Sequence, residues 1–387
     1  MPEKKKQHYV PKMYMDLFAN SKKEFAIYNV SSKETRYPVP YKGQCYKDYY
    51  YGKDQIWEDR LSHMENEWRK TMNLIRNLEP LDATHLQRIK TFALYQRQRT
   101  FGEGQYIKQV REETVIEQGK LICANRGLEF TETIKNLCLE RAQEHVTPAE
   151  HLQLAEKLID IIDDLSVVVI NYTTNQRLIS SDVPVIAINP FELHTIGYGC
   201  MGIILLFPVS PHQLVVIYDA KMYPRFADKP YVNLSNENEV RHLNALQFIS
   251  AEKILFAYEA SDFPLFTADD WKKRSQNREG EAIQALGPST QKLIATSPRK
   301  VIYDCEFTFG RICSSFAGIP YSCREAVPRV WEEGWEKKLR EKGNIITGIS
   351  EYRPEMLHSI GLSKKEIRRG CQLMLRAAQG YWRKTLK

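Results

Sequence analysis

The sequence lacks most of the signatures that would name a chemistry. Its eight cysteines stand at 45, 123, 138, 200, 305, 313, 323 and 371, and no two form a Cys-x-x-Cys pair. That excludes a zinc ribbon and fits no disulfide framework, and leaves scattered reduced thiols. Long hydrophobic runs are also missing. The longest apolar stretches, 165–170 and 201–209, have the length of strands, not of a bilayer span. The opening MPEKKKQHYVPK is basic, with no apolar segment behind it. A secretory signal is therefore not expected, and the expectation is a cytoplasmic chain without a membrane partner. A Walker loop, a Gly-x-Gly-x-x-Gly fingerprint, a His-Glu-x-x-His helix and a Gly-x-Ser-x-Gly elbow are all absent. So is the paired Asp with Glu-x-Lys pattern of common restriction-type nucleases. No cofactor can be assigned.

What is present is ordinary globular composition, 43% hydrophobic and 27% charged over 387 residues. That suits one large domain or two medium ones. Charge is uneven. Residues 329–387 hold 14 Lys and Arg against 7 Asp and Glu, whereas residues 1–328 are balanced at 41 of each sign. A basic segment is either a nucleic-acid footprint or a solvated helical face.

Along the chain, 25–30 and the following Thr-Arg-Tyr-Pro-Val-Pro read as short strands around a Ser31-Ser32-Lys33 turn, and 46–54 as a tyrosine-rich loop. From Ile56, apolar residues recur at near-helical spacing: Leu61, Met64, Trp68, Met72, Ile75. A second helix opens at Asp82 or Thr84. Helical patterns continue through 106–122 and 129–145, and Thr147-Pro148 begins another. From Ser166 the runs are continuous, apolar and strand-sized, which predicts strands covered on both faces. A helix over 236–250 and a strand over 253–258 follow. Polar residues 262–300 predict a boundary or long loop. The fold class expected is α+β: a helical N-terminal half packed with a mixed central β-sheet, plus a basic helical C-terminal segment. The domains expected are 1–265, helical over 56–165 and β-rich over 166–260, and a C-terminal extension 266–387, helical and basic after 329.

Several segments carry a resemblance. His8-Tyr9-Val10-Pro11, then Tyr14-Met15 and Phe18, Tyr51-Gly52, a helix with Glu58 and Glu65, Gln96-Arg97-Gln98-Arg99-Thr100, Ser181-Asp182-Val183-Pro184, Phe207-Pro208-Val209-Ser210-Pro211 and His242-Leu243-Asn244 occur in that order. Over roughly 1–260 the chain resembles a bacterial domain-of-unknown-function family marked by the N-terminal His-Tyr-Val-Pro motif. It departs from that pattern at Val183 and Phe101. Similar members occur among single-gene anti-phage defence candidates. The resemblance thus implies a toxic or abortive effector, most often a nuclease, with a phage-derived trigger as a partner.

Five residues are candidates for catalysis: His8, Arg99, Asp182, Glu58 and Asn244. His8 is a natural proton mover near neutral pH, or else fixes the entry of the chain through a backbone bond. Glu58 and Glu65 share a helix face two turns apart. They suit a hard metal or acid/base work, or form a solvated acidic stripe. The Arg99 fork suits a phosphate, or a buried ion pair with Glu58 or Glu65. Asp182 stands at a strand's end, where sites often place carboxylates, or caps an Asx turn. Asn244 sits in an apolar helix and must find partners, either orienting His8 or a ligand or tying loops together. In the absence of a nuclease motif, His8 moving a proton while Arg99 stabilises a phosphorane would be a metal-independent route.

A weaker pattern lies at the C-terminus. Ser363 and Glu366 frame a capping box. Ile367, Cys371, Met374 and Ala378 form an apolar face, with Lys365, Arg369 and Arg376 opposite as candidate nucleic-acid contacts. The expectation is an anti-phage or toxic effector acting on DNA or RNA, with a nuclease favoured. The alternatives are a nucleotide-directed enzyme (an NAD glycohydrolase or ADP-ribosyl transferase) and a non-catalytic sensor of a phage protein.

Overall fold

A computed structural model describes residues 5–143, 147–188, 198–199, 203–220, 229–279, 284–286 and 293–295. Lys365, Arg369, Arg376 and the helical pattern around them lie outside the described residues.

The chain opens with a short strand, β1 (Lys6–His8), and a one-turn helix, α1 (Lys12–Met15). β2 (Glu24–Asn29) and β3 (Glu34–Pro40) form a hairpin. Its turn is set by the Asn29 side chain, which accepts from the backbone N–H groups of Ser31 and Ser32, each at 3.0 Å. β4 (Tyr46–Asp48) then runs back along β1 in a two-stranded sheet of its own. The tyrosine-rich loop of the sequence reading is thus partly strand.

Helices follow: α2 (Ile56–Arg76), α3 (Ala83–Gln98), α4 (Phe101–Asn125), α5 (Glu132–Gln143) and α6 (Pro148–Leu158). Asp82 caps α3, accepting from His85 N at 2.9 Å, and Thr147 caps α6 with Pro148 at its first position. The sharper of the two proposed α3 starts, Asp82, is the one used.

β5 (Ser166–Tyr172), β8 (Ile204–Ser210) and β9 (Gln213–Tyr218) form the centre of a five-stranded sheet. β7 (Ile186–Ile188) closes one edge and β10 (Tyr231–Leu234), parallel to β5, the other. Every residue of β8 and β9 is buried, which is why these runs are apolar without alternation. A second sheet has the order β3-β2-β11-β6, with β6 at Ser180–Ser181 and β11 at Ile254–Ala257. The fold class is α+β.

The core joins both sheets to α2 and α3. Phe92 of α3 lies 5.3 Å from Phe207 of β8, 5.4 Å from Trp68 of α2 and 5.6 Å from Tyr14, centroid to centroid. A ring buried in this way contributes on the order of 2–3 kcal/mol. Tyr14 also donates to the Pro208 carbonyl at 2.5 Å and meets Ser180 Oγ at 3.0 Å, so this aromatic is a strut between the N-terminus and both sheets.

α7 (Glu237–Ser250) is capped by Asn236. After it, α8 (Ala268–Glu279) stands where a loop was expected. Its composition is strongly polar, and two residues hold it. Trp271 packs edge-on to Phe248 of α7 at 4.8 Å, and the buried Arg274 donates to the Phe248, Ile249 and Ala251 carbonyls at the end of α7. No helix among the described residues is long and apolar enough to cross a membrane.

Candidate functional site

The end of α3 brings the first group of candidates together. Arg99 is the residue that closes this helix, and its side chain is only 1% exposed. Nε donates to Tyr51 Oη at 3.1 Å, and Nη2 donates to the His8 carbonyl at 2.7 Å and to Glu65 Oε1 at 2.8 Å. Nη1 is buried without a hydrogen-bond partner among the described residues. Burial works against the charge on Arg99. The Tyr51 and Glu65 contacts more than offset it, so the guanidinium pKa is raised and the group stays cationic. Glu58 lies on α2 two turns before Glu65, and its charge, like that of Glu65, is felt at Tyr51. Burial keeps Tyr51 protonated, with a pKa above the ordinary value.

His8 meets Arg99 through its backbone, not its ring. Its Nε2 donates to the Lys42 carbonyl at 3.2 Å, and the ring lies 5.5 Å from that of Tyr46, centroid to centroid. Burial lowers the imidazole pKa to about 4, and the nearby cations Lys12, Arg99 and Lys6 push the same way against the Lys42 bond. His8 is thus neutral at pH 7 and a weak base. Gln96, one turn before Arg99 on the same helix, donates Nε2 to the Tyr9 carbonyl at 3.0 Å, and its Oε1 is buried without a partner among the described residues. Gln7 completes the arrangement: its Nε2 reaches Gly52 O at 3.0 Å and its Oε1 accepts from Tyr51 N at 2.6 Å. Gln7 was not singled out from the sequence, where its only signal was its place just before the His-Tyr pair, and Tyr51 was named only within the Tyr51-Gly52 pair, with no role.

Asp182 is buried apart from this centre, where its charge reaches Tyr9 and Cys45. Its carboxylate accepts from Glu252 N at 2.8 Å, Lys253 N at 2.8 Å and Ile254 N at 3.4 Å, clamping the turn before β11. Burial raises its pKa to about 6 against the pull of those donors. Asn244 is not beside His8. Its Oδ1 accepts from Ile179 N at 3.0 Å and its Nδ2 donates to Arg177 O at 2.8 Å, which ties α7 to the segment before β6. Gln247, one turn on and missed in the sequence, does the same with Ser181 Oγ and the Pro184 carbonyl. A second amide on an otherwise apolar face was its available signal.

The structure therefore gathers Arg99, Glu65, Tyr51, Gln96 and the His8 carbonyl into one buried polar centre, with Glu58 nearby. Asp182 and Asn244 hold backbone. Among the described residues no group of three or more His, Cys, Asp or Glu side chains is placed to hold a metal ion.

Residues 6–261 match the family described as protein of unknown function (DUF4238). The chain belongs to the DUF4238 family. His8, Glu58, Arg99, Asp182 and Asn244 all fall within the matched span, whereas the basic segment after 329 falls outside it. No curated protein and no solved structure matches the chain.

Proposed function

We propose that this DUF4238 protein is an anti-phage or toxic effector that acts on nucleic acid, and that Arg99 is the group that meets a phosphate. The observation that carries this reading is Nη1: a charged, buried guanidinium with one donor left unpartnered among the described residues. A buried donor normally finds an acceptor, and a planar fork with a spare arm suits a phosphate oxygen. His8 is a poor proton mover in this setting, because its imidazole takes up no second proton near neutral pH and the one N–H it keeps, on Nε2, is bonded to Lys42. Glu65, bonded to Arg99 Nη2, is the carboxylate assigned to proton transfer, with Glu58 two turns before it on α2, and Arg99 stabilises charge.

The same carboxylates favour a second reading, a nucleotide-directed enzyme such as an NAD glycohydrolase. Glu65 against Arg99 would place an anion beside an oxocarbenium-like centre while the guanidinium holds a pyrophosphate.

Purified protein incubated with labelled total RNA and plasmid DNA, with and without EDTA, tests the first reading. Cleavage by the wild type that is lost in a folded Arg99→Lys variant is the expected result. Intact nucleic acid in every lane, with NAD consumed, would move the assignment to the second reading.

A further inference from the structure

The guanidinium proposed to meet a phosphate is enclosed, so something must leave for a ligand to enter. Three groups share it: Tyr51 in the segment after β4, Glu65 on the 21-residue helix α2, and the His8 carbonyl on the three-residue strand β1. Among the described residues β1 pairs only with β4, across three residue pairs in a two-stranded sheet, and two-stranded ribbons are marginal on their own. Backbone bonds flank the ladder at Tyr9 N–Cys45 O and Tyr49 N–Lys5 O, the buried Gln7 and His8 side chains bond Gly52, Tyr51 and Lys42, and further side chains hold the β1 backbone and the residue after it. Arg99 and Gln96 grip the consecutive carbonyls of His8 and Tyr9, and Tyr51 Oη also donates to His8 O at 3.2 Å.

We propose that β1 is a displaceable stopper, and that a phosphate group of the ligand reaches Arg99 by replacing the His8 carbonyl. This rests on the reading of Arg99 as the phosphate-binding group. A carbonyl and a phosphate oxygen compete for the same N–H donors. The phosphate carries a full charge and can take Nη1 and Nη2 together, where the carbonyl takes Nη2 alone. Gln96, released from Tyr9, offers Nε2 and its already unpartnered Oε1 to the same ligand. The ribbon carries a net positive charge on the outside. Lys5 and Lys6 are exposed and Lys47 is half-buried, against one acidic group, Asp48, which pairs with Lys5 at 3.2 Å, and the remainder favours the approach of an anion.

The test is a lock. Lys6 and Asp48 are register partners across β1 and β4, at a spacing that suits a disulfide. A Lys6→Cys/Asp48→Cys variant is compared with itself, oxidised and reduced, for binding of a fluorescein-labelled single-stranded RNA by anisotropy. The reduced form is expected to bind at least about tenfold more tightly than the oxidised form, while wild type is indifferent to the same treatment. Gln7→Ala, which removes both side-chain bonds from β1 to Gly52 and Tyr51, is expected to tighten binding without the lock. Equal affinities in the oxidised and reduced forms, with binding still lost in Arg99→Met, would overturn the stopper and leave the Arg99 reading standing. No RNA binding by wild type, Gln7→Ala or the reduced variant would overturn both.

Discussion

Arg99 and Glu65 are joined at 2.8 Å between α3 and α2, yet they sit in different media: the guanidinium is 1% exposed and the carboxylate 24%. Loss of one partner should therefore be felt asymmetrically. With Arg99→Met, the buried His8 carbonyl and Tyr51 hydroxyl lose a charged donor, and a cost of about 3 kcal/mol is expected. With Glu65→Gln, the amide still accepts from Nη2, and the exposed edge is hydrated, so about 1 kcal/mol is expected. Urea unfolding of the two variants measures this. Equal losses would mean that the ion pair, and not the buried backbone contact, is what Arg99 contributes.

His8 gives a stability term that is present at neutral pH and lost in acid. Its folded pKa is about 4, against 6.5 for free imidazole. Below 6.5 the unfolded chain holds more protons, so stability falls as pH drops toward 4, by roughly 3 kcal/mol from this residue. In His8→Gln that loss is missing, so the wild type's advantage should narrow between pH 7 and pH 4.5. NMR gives a direct check: the His8 ring resonances should stay flat from pH 8 to about pH 5. Titration near 6.5 would place the ring in water.

Asp182 acts over the same range with the opposite sign. Its folded pKa is about 6, above the ordinary 3.8, so the folded chain holds the extra proton. Stability from this group is fully present below pH 4 and declines as pH rises through 6, again by roughly 3 kcal/mol. The expected signature is a gap in melting temperature between wild type and Asp182→Asn that is widest near pH 4 and smaller at pH 7. A gap that widens with pH would show that the three backbone donors at 252–254 outweigh burial. Because the His8 and Asp182 terms overlap and oppose, wild type alone should show little pH dependence from either. Only the variants separate them.

Much of the fold was legible where its signals are local. The apolar spacing of α2, the caps at Asp82 and Thr147, and the unbroken apolarity of β8 and β9 each follow from neighbours in sequence. α8 was not legible. Its hold on α7 is one tryptophan and one arginine, and that arginine's partners are carbonyls more than twenty residues away. The site divides in the same way. Arg99 stood out as a charge ending an apolar helix. That it would take the carbonyl of His8 and not its ring could not be read, because every residue has a carbonyl. Asn244, Gln247 and Asp182 likewise bind distant backbone, which leaves no mark in the residue types of their partners.

Gly119 offers a test of packing whose sign can be reversed. It lies in α4, where alanine would ordinarily stabilise a helix by about 1 kcal/mol over glycine. A Cβ there would stand 2.6 Å from Cys138 Sγ on α5 and 3.1 Å from Phe130 Cε2, closer than atoms can approach without a shift. Such overpacking costs about 1–3 kcal/mol, so Gly119→Ala is expected to destabilise on balance. Removing the obstructing sulfur should change that. In a Cys138→Ala background the propensity gain is opposed only by the milder Phe130 contact, and Gly119→Ala should become neutral or stabilising. A thermal-melt double-mutant cycle reads the coupling. Additive effects would mean that α4 and α5 do not cross at Gly119 in solution, and the helical hairpin would have to be redrawn.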